Sequence, residues 1–265
     1  MKTKNVLREL IREDKTTLGT HMYVPWPGVA EVIGYSGVFD YIEFSGQYAP
    51  YDLFSLENFG RAIDMFDDMS AMMKLDQEPK IYLAERAIGS GIQNLLFADI
   101  RTVEDAHEAY CSMRPETPEA KGKKGVTGTR DMGYVAPGIT MQDYIRNLEE
   151  GILALMIEKK PAVEDLENIL SVGGIDMVQF GPSDYSMSIG RPGETSHPEV
   201  KEAERYVIET AIKMGIRPRA ELNKVAQADS YLEMGVKDFT IGTDVNTIYD
   251  FCKKQGGSLL KELGR

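Results

Sequence analysis

The sequence predicts an α/β fold, a closed (β/α)8 barrel. Apolar runs of strand character recur eight times along the 265 residues, and a helical stretch follows each. Eight such units in roughly 250 residues match the size and rhythm of that barrel. No long inserted domain interrupts the series, which favours closure over a doubly wound open sheet. Residues 1–265 therefore read as one barrel domain.

The elements follow in order. TTLGTHMY (16–23) precedes a helix through AEVIGYSG, and FDYIEFSG (39–46) precedes the amphipathic stretch SLENFGRAIDMFDDM. SAMMKLD (70–76) leads to the helical KIYLAERAIGSG, and NLLFADI (94–100) to TVEDAHEAYCSM. An irregular segment, 114–140, rich in Gly, Pro and Lys, then breaks the rhythm. Its length exceeds the usual βα connection, so it is either an active-site loop or a disordered surface excursion. The helix MQDYIRNLEEG and the run ILALMIE come next, followed by GGIDMVQF and a helix from Pro198 to Gly215. IRPRAEL (216–222), the helix NKVAQADSYLEMG and KDFTIGTD (237–244) close the series, with VNTIYDFCKKQ as the last helix.

Residues 154–190 carry the most chemistry. Two apolar runs each lead into a carboxylate, Glu158 and Asp184, with one helical stretch between them. Pro161 opens that stretch, where its missing N–H costs nothing, and Gly173 and Gly174 stop it. A strand–helix–strand unit makes its strands parallel neighbours, so both carboxylates emerge at one end of the sheet. Such a pair on a barrel rim suits a divalent cation, because two neighbouring carboxylates otherwise repel.

Composition narrows the partners. A net charge of −12 argues against nucleic acid or an anionic membrane, although a local cation cluster or bound metal can still create an anion pocket. Cys111 and Cys252 are too few for a disulfide framework or thiolate metal site. No run approaches the ~18 apolar residues of a membrane span, and the start MKTKNVLRELIRED lacks the core of a secretory signal. A cytoplasmic, reduced protein is expected. KGKKG matches neither the P-loop nor the dinucleotide fingerprint. His107, His197 and the methionines Met65, Met69, Met72 and Met73 read as structural, the last four as core filling.

The segments FDYIEFSGQYAP, GIQNLLFADIRTVEDA, KGKKGVTG, MIEKKPAVEDLENIL, GGIDMVQFGPSDYSMSIG and YLEMGVKDFTIGTD resemble the class II pyruvate aldolases typified by 4-hydroxy-2-oxoheptanedioate aldolase. The register holds from about residue 18 to 250, and GxDxVxxGPxDxS is its most specific motif. The resemblance implies a phosphoenolpyruvate/pyruvate-type barrel whose eighth helix is exchanged between partners, usually in a hexamer built from dimers. It implies that Glu158 and Asp184 hold a divalent metal, Mg²⁺ or Mn²⁺, which binds a small 2-oxo acid and stabilises its enolate. Backbone N–H groups at the non-proline positions of Gly181-Pro182-Ser183 would face the substrate carboxylate.

The chain departs from the family pattern at three positions. Ser45-Gly46-Gln47-Tyr48-Ala49-Pro50 stands where the family reads D-G-E-H-A-P, so Tyr48 replaces its base-forming His. The Asp that partners that His falls on Gly89, and the substrate-gripping Arg on Lys74. A neutral phenol is a poor base at neutral pH. Lys74 keeps a charge without the guanidinium fork, and could form a Schiff base only if desolvation made it neutral. His21, ending the first strand, offers a substitute base, with inert packing as its alternative. Asp99 either supports the site or caps the helix after it.

These readings lead to a metal-dependent carbon–carbon lyase. The alternatives are a family member that binds a 2-oxo acid without turnover, and an acyl-CoA ester lyase on the related citrate-lyase-like barrel. Ile248, Tyr249 and Phe251 give the last helix an apolar side that covers either a partner's barrel or its own.

Overall fold

The computed structural model describes residues 4–134 and 139–265. Eight strands close a barrel in chain order, with every neighbouring pair parallel. They are β1 (Thr17–Met22), β2 (Tyr41–Ser45), β3 (Ser70–Leu75), β4 (Asn94–Ile100), β5 (Leu153–Ile157), β6 (Met177–Phe180), β7 (Arg217–Leu222) and β8 (Asp238–Thr243). Each expected apolar run holds one strand. The runs are apolar on both parities because one face meets the interior and the other the helices.

Thirteen α-helices are described, and those that position the site are named here. The N-terminal stretch forms α1 (Val6–Arg12), which plugs the N-terminal end of the barrel. Its Leu7 packs with Tyr41, Met72, Leu96, Met156 and Met177 in the interior core. Gly19 makes room for the Tyr41 ring: a Cβ there would lie 2.4–2.8 Å from its atoms. A larger core lies between sheet and helices and includes Phe44, Phe59, Phe97, Leu155 and Val178. Local signals start the outer helices, α2 (Pro27–Tyr35) to α6 (Met141–Glu150). Asp52 accepts from Ser55 N at 2.7 Å, Thr102 and Asp105 form a reciprocal capping box, and Thr140 accepts from Asp143 N at 3.1 Å.

Three expectations change. The stretch after Glu158 is two short helices, α7 (Lys160–Glu164) and α8 (Leu166–Leu170), broken at Asp165. Their buried residues, Ala162, Val163, Leu166, Ile169 and Leu170, keep the stripe of a single helix, so periodicity alone runs through the break. Met65 is 57% exposed, beyond the end of α3 (Leu53–Ile63), while Met69, Met72 and Met73 are core residues as expected.

The irregular segment is neither of the two forms expected of it where it is described. Residues 114–134 pack against the outer helices: Arg114 donates to Leu148 O and Gly151 O at 3.0 and 2.9 Å, and buried Arg130 pairs with Asp64. None of these residues lines the main cleft. Residues 135–138 lie outside the described residues.

Candidate functional site

The main cleft opens at the C-terminal ends of the strands. His21, Tyr48, Lys74, Glu158, Gly181, Pro182, Ser183 and Asp184 line it together, while Asp99 does not. Barrel closure explains that convergence. Strand register pairs His21 with Glu43, and Ser45 with Lys74, so neighbouring strands present these side chains at similar heights. Glu158 directly follows β5, and Asp184 lies in the first turn of α9 (Pro182–Ser188), just after β6.

Glu158 packs against Gly181, three residues before Asp184. A Cβ at Gly181 would lie 2.6 Å from Glu158 Cβ and 2.7 Å from its Oε2, so only glycine lets the carboxylate occupy this place. Glu158 Oε1 accepts from Asp99 N at 2.8 Å. Asp99 reaches it because its backbone is left-handed, φ 59°, where the register of β4 against β5 shifts. Burial pushes Glu158 above the usual carboxylate range. Lys74 and the Asp99 amide oppose that shift, while Asp184 adds to it.

Lys159 supplies a cation at the same rim. Its Nζ stands 2.7 Å from Asp184 Oδ1 and 3.0 Å from Asp99 Oδ1. Asp99 also pairs with Arg101 at 3.1 Å, so it acts at this rim, and Thr102 caps the next helix instead. The repulsion inferred for Glu158 and Asp184 is thus partly relieved by a lysine that the sequence reading had not singled out.

On the opposite side of Glu158, Lys74 is almost wholly buried and Tyr48 is 54% exposed. Lys74 Nζ donates to Tyr48 Oη at 2.8 Å, and Tyr48 stacks on Tyr23 with ring centres 6.0 Å apart. Burial pulls the Lys74 ammonium down, but Tyr48, Glu158 and Glu43 together hold it above its ordinary value. It is therefore charged at neutral pH, which disfavours a Schiff base.

The Gly181-Pro182-Ser183 expectation narrows. Gly181 N already donates to Ile157 O at 3.1 Å, and proline has no N–H. The first-turn amides of Ser183 and Asp184 are the donors left at this point of the chain. Gly89, where the resemblance places the family's Asp, ends α4 (Lys80–Gly89) and does not line the cleft. His107 lies on α5 (Val103–Met113), and His197 caps the helix Pro198–Lys213, both outside the cleft as expected.

The sequence reading missed a buried polar group on the far wall. Glu43, Gln179, Arg219 and Glu221 point into the cleft beside His21. Arg219 Nη2 lies 2.5 Å from Glu43 Oε2, and Arg219 Nε donates to Gln179 Oε1 at 2.6 Å. The available signal was a charge at a buried strand position, Glu43 in the apolar run FDYIEFSG and Arg219 in IRPRAEL. Buried charges in such runs require partners.

Among the described residues no cluster of three or more His, Cys, Asp or Glu side chains could hold a metal ion. The Glu158–Asp184 pair is the candidate donor set, its ligands hard oxygens. No helix among the described residues is long and apolar enough to cross a membrane.

Comparisons with known proteins bear on the family and the fold. The family model described as HpcH/HpaI aldolase/citrate lyase matches residues 60–250. The chain is 30% identical over 197 residues, 74% of each protein, to a pyruvate aldolase of Rhizobium etli. It is 28% identical over 259 residues, 97% of each, to a 5-keto-4-deoxy-D-glucarate aldolase of Klebsiella pneumoniae. A solved HpcH/HpaI aldolase/citrate lyase family protein from Burkholderia cenocepacia superposes with a TM-score of 0.86 at 25% identity, covering 99% of this chain and 100% of that one.

Proposed function

This chain belongs to the HpcH/HpaI aldolase/citrate lyase family, and we propose that it is a divalent-metal-dependent aldolase acting on a small 2-oxo acid. The carrying observation is that Glu158 and Asp184 line one cleft together with buried, charged Lys74. The relatives named as aldolases support the reaction class.

The donor set fits Mg²⁺ or Mn²⁺. Both side chains offer hard oxygens, and a cation would keep buried Glu158 ionised against the upward push of its surroundings. When bound, the metal supplies Lewis-acid stabilisation of enolate charge. The chain does the rest. Lys74 places an ammonium toward the developing oxyanion, and Tyr48 donates one neutral hydrogen bond that orients the substrate. The Ser183 and Asp184 amides, at the N-terminus of α9, face the substrate carboxylate.

The decisive experiment is condensation of pyruvate with a panel of aldehydes, using chelator-treated protein with and without Mg²⁺ or Mn²⁺. No turnover in any metal form, with no metal bound, sinks the reading. Tyr48 in place of the base favours a second reading, a family member that binds a 2-oxo acid without turning it over. Catalysis abolished by Glu158→Gln would refute that alternative.

We also propose a cytoplasmic homo-oligomer, the dimer-based hexamer implied by the resemblance. Support comes from the C-terminal helix α12 (Asp244–Phe251), whose Ile248, Tyr249 and Phe251 are 59%, 61% and 66% exposed rather than packed on their own barrel. Free Cys111 and Cys252 suit a reducing compartment.

A further inference from the structure

We propose that His21 carries the hydroxyl proton in the carbon–carbon step, held for that task by a ring of Glu43, Arg219, Gln179 and Glu221 across the barrel mouth. The inference rests on the aldolase reading and adds the proton acceptor that Tyr48 and Lys74 do not supply. An ammonium has no acceptor site, and Tyr48 is the partner to which Lys74 donates.

The geometry is a closed circuit. His21 Nε2 lies 3.8 Å from Glu43 Oε1, and Nδ1 lies 3.7 Å from Glu221 Oε1. Glu43 is clamped by Arg219, Arg219 donates to Gln179, and Gln179 Nε2 donates to Glu221 Oε2 at 3.0 Å. The imidazole is bracketed by both carboxylates but stands beyond hydrogen-bond distance of either. It is 4% exposed, lines the cleft, and its Nε2 has no hydrogen-bond partner among the described residues. A histidine that only packs would be expected to use both ring nitrogens, and a buried group left open needs a reason. Neither carboxylate holds the ring in a hydrogen bond, which leaves the imidazole free to take a proton where its edge lines the cleft.

The step balances within the substrate. On cleavage, the His21 imidazole takes the proton from the hydroxyl at C4 of a 4-hydroxy-2-oxo acid. The O–H electron pair becomes the aldehyde C=O, the C3–C4 bond breaks, and its electrons form the pyruvate enolate. Condensation runs the same transfers backward from the enolate, which pyruvate first forms by losing a methyl proton to solvent. Arg219 partly offsets the charge of Glu43, and Glu43 and Glu221 flank the positive charge that the ring gains with the proton. Glu43, Arg219, Gln179 and Glu221 are positioning residues.

Two reactions separate His21 from the enolate machinery. Decarboxylation of oxaloacetate reaches the same enolate without moving a hydroxyl proton. Condensation of pyruvate with glycolaldehyde or succinic semialdehyde requires that proton, and methyl-proton exchange of pyruvate in D2O without aldehyde separately reports the enolisation that condensation also needs. With Mg²⁺ present, His21→Gln and His21→Ala should lower the ratio of condensation to decarboxylation by about a hundredfold or more. Added imidazole should restore part of the condensation rate of His21→Ala, and Glu221→Gln should lower condensation kcat without a matching rise in the aldehyde KM.

Parallel loss of both reactions, or no rescue by imidazole, overturns the proposal. So does a wild-type protein that decarboxylates oxaloacetate yet condenses pyruvate with neither aldehyde. Wild-type protein with no decarboxylation above the metal-ion background would instead count against the aldolase reading itself.

Discussion

Lys74 Nζ lies 2.8 Å from Tyr48 Oη and 4.7 Å from the centre of the same ring, so one phenol both accepts from the ammonium and flanks its charge. The lysine cannot swing freely, and its charge is held at the cleft. That fixity matters because a preorganised cation needs no reorganisation when an oxyanion develops.

If Lys74 carries this electrostatic work, Lys74→Met should reduce kcat on the order of a hundredfold, while Tyr48→Phe costs distinctly less. Steady-state kinetics with pyruvate as donor decide it. A more damaging tyrosine change would put the phenol in the proton path.

Gly181→Ala should weaken the metal site without touching a ligand. The added Cβ meets Glu158 at 2.6–2.7 Å and must push the carboxylate aside. Calorimetric titration with Mn²⁺ should show affinity lower by about tenfold or more. Glu158→Gln combined with Asp184→Asn should leave no binding; full occupancy in that double variant would remove the site.

The Glu43–Arg219 pair makes a stability prediction with a definite sign. Burial pushes Glu43 up, but Arg219, His21 and Lys74 outweigh it and hold the carboxyl below its ordinary value. A lowered carboxyl contributes stability that is fully present above the unfolded value of ~4.3 and is lost as pH falls through the folded one. Glu43→Ala should cost about 3–5 kcal/mol at pH 7, because it leaves the Arg219 charge buried. Urea unfolding at pH 7 and at pH 3 tests both, and the gap between variant and parent should shrink at the lower pH.

Replacing Ile248, Tyr249 and Phe251 together by serine should shift assembly toward smaller species. Sedimentation at micromolar concentration reads this directly. A stable parent monomer would rule out the exchanged-helix assembly.

The amino-acid sequence by itself determined the eight strands, because each is a short apolar run with breakers on both sides. It also placed Glu158 and Asp184 at one rim, because one strand–helix–strand unit brings its two ends to the same side. Other features depended on long-range geometry. The break at Asp165 leaves the apolar stripe unchanged, so no local pattern marks it. Lys159 joins Asp99 and Asp184 only where β4 bulges against β5. Glu43 and Arg219 lie far apart in the chain, and their charges look misplaced in apolar strands until the strand faces are known. Closure of β8 onto β1 then turns both inward and makes them partners. A strand's alternation states which residues share a face, but only the closed barrel decides which face is the inside and what stands across it.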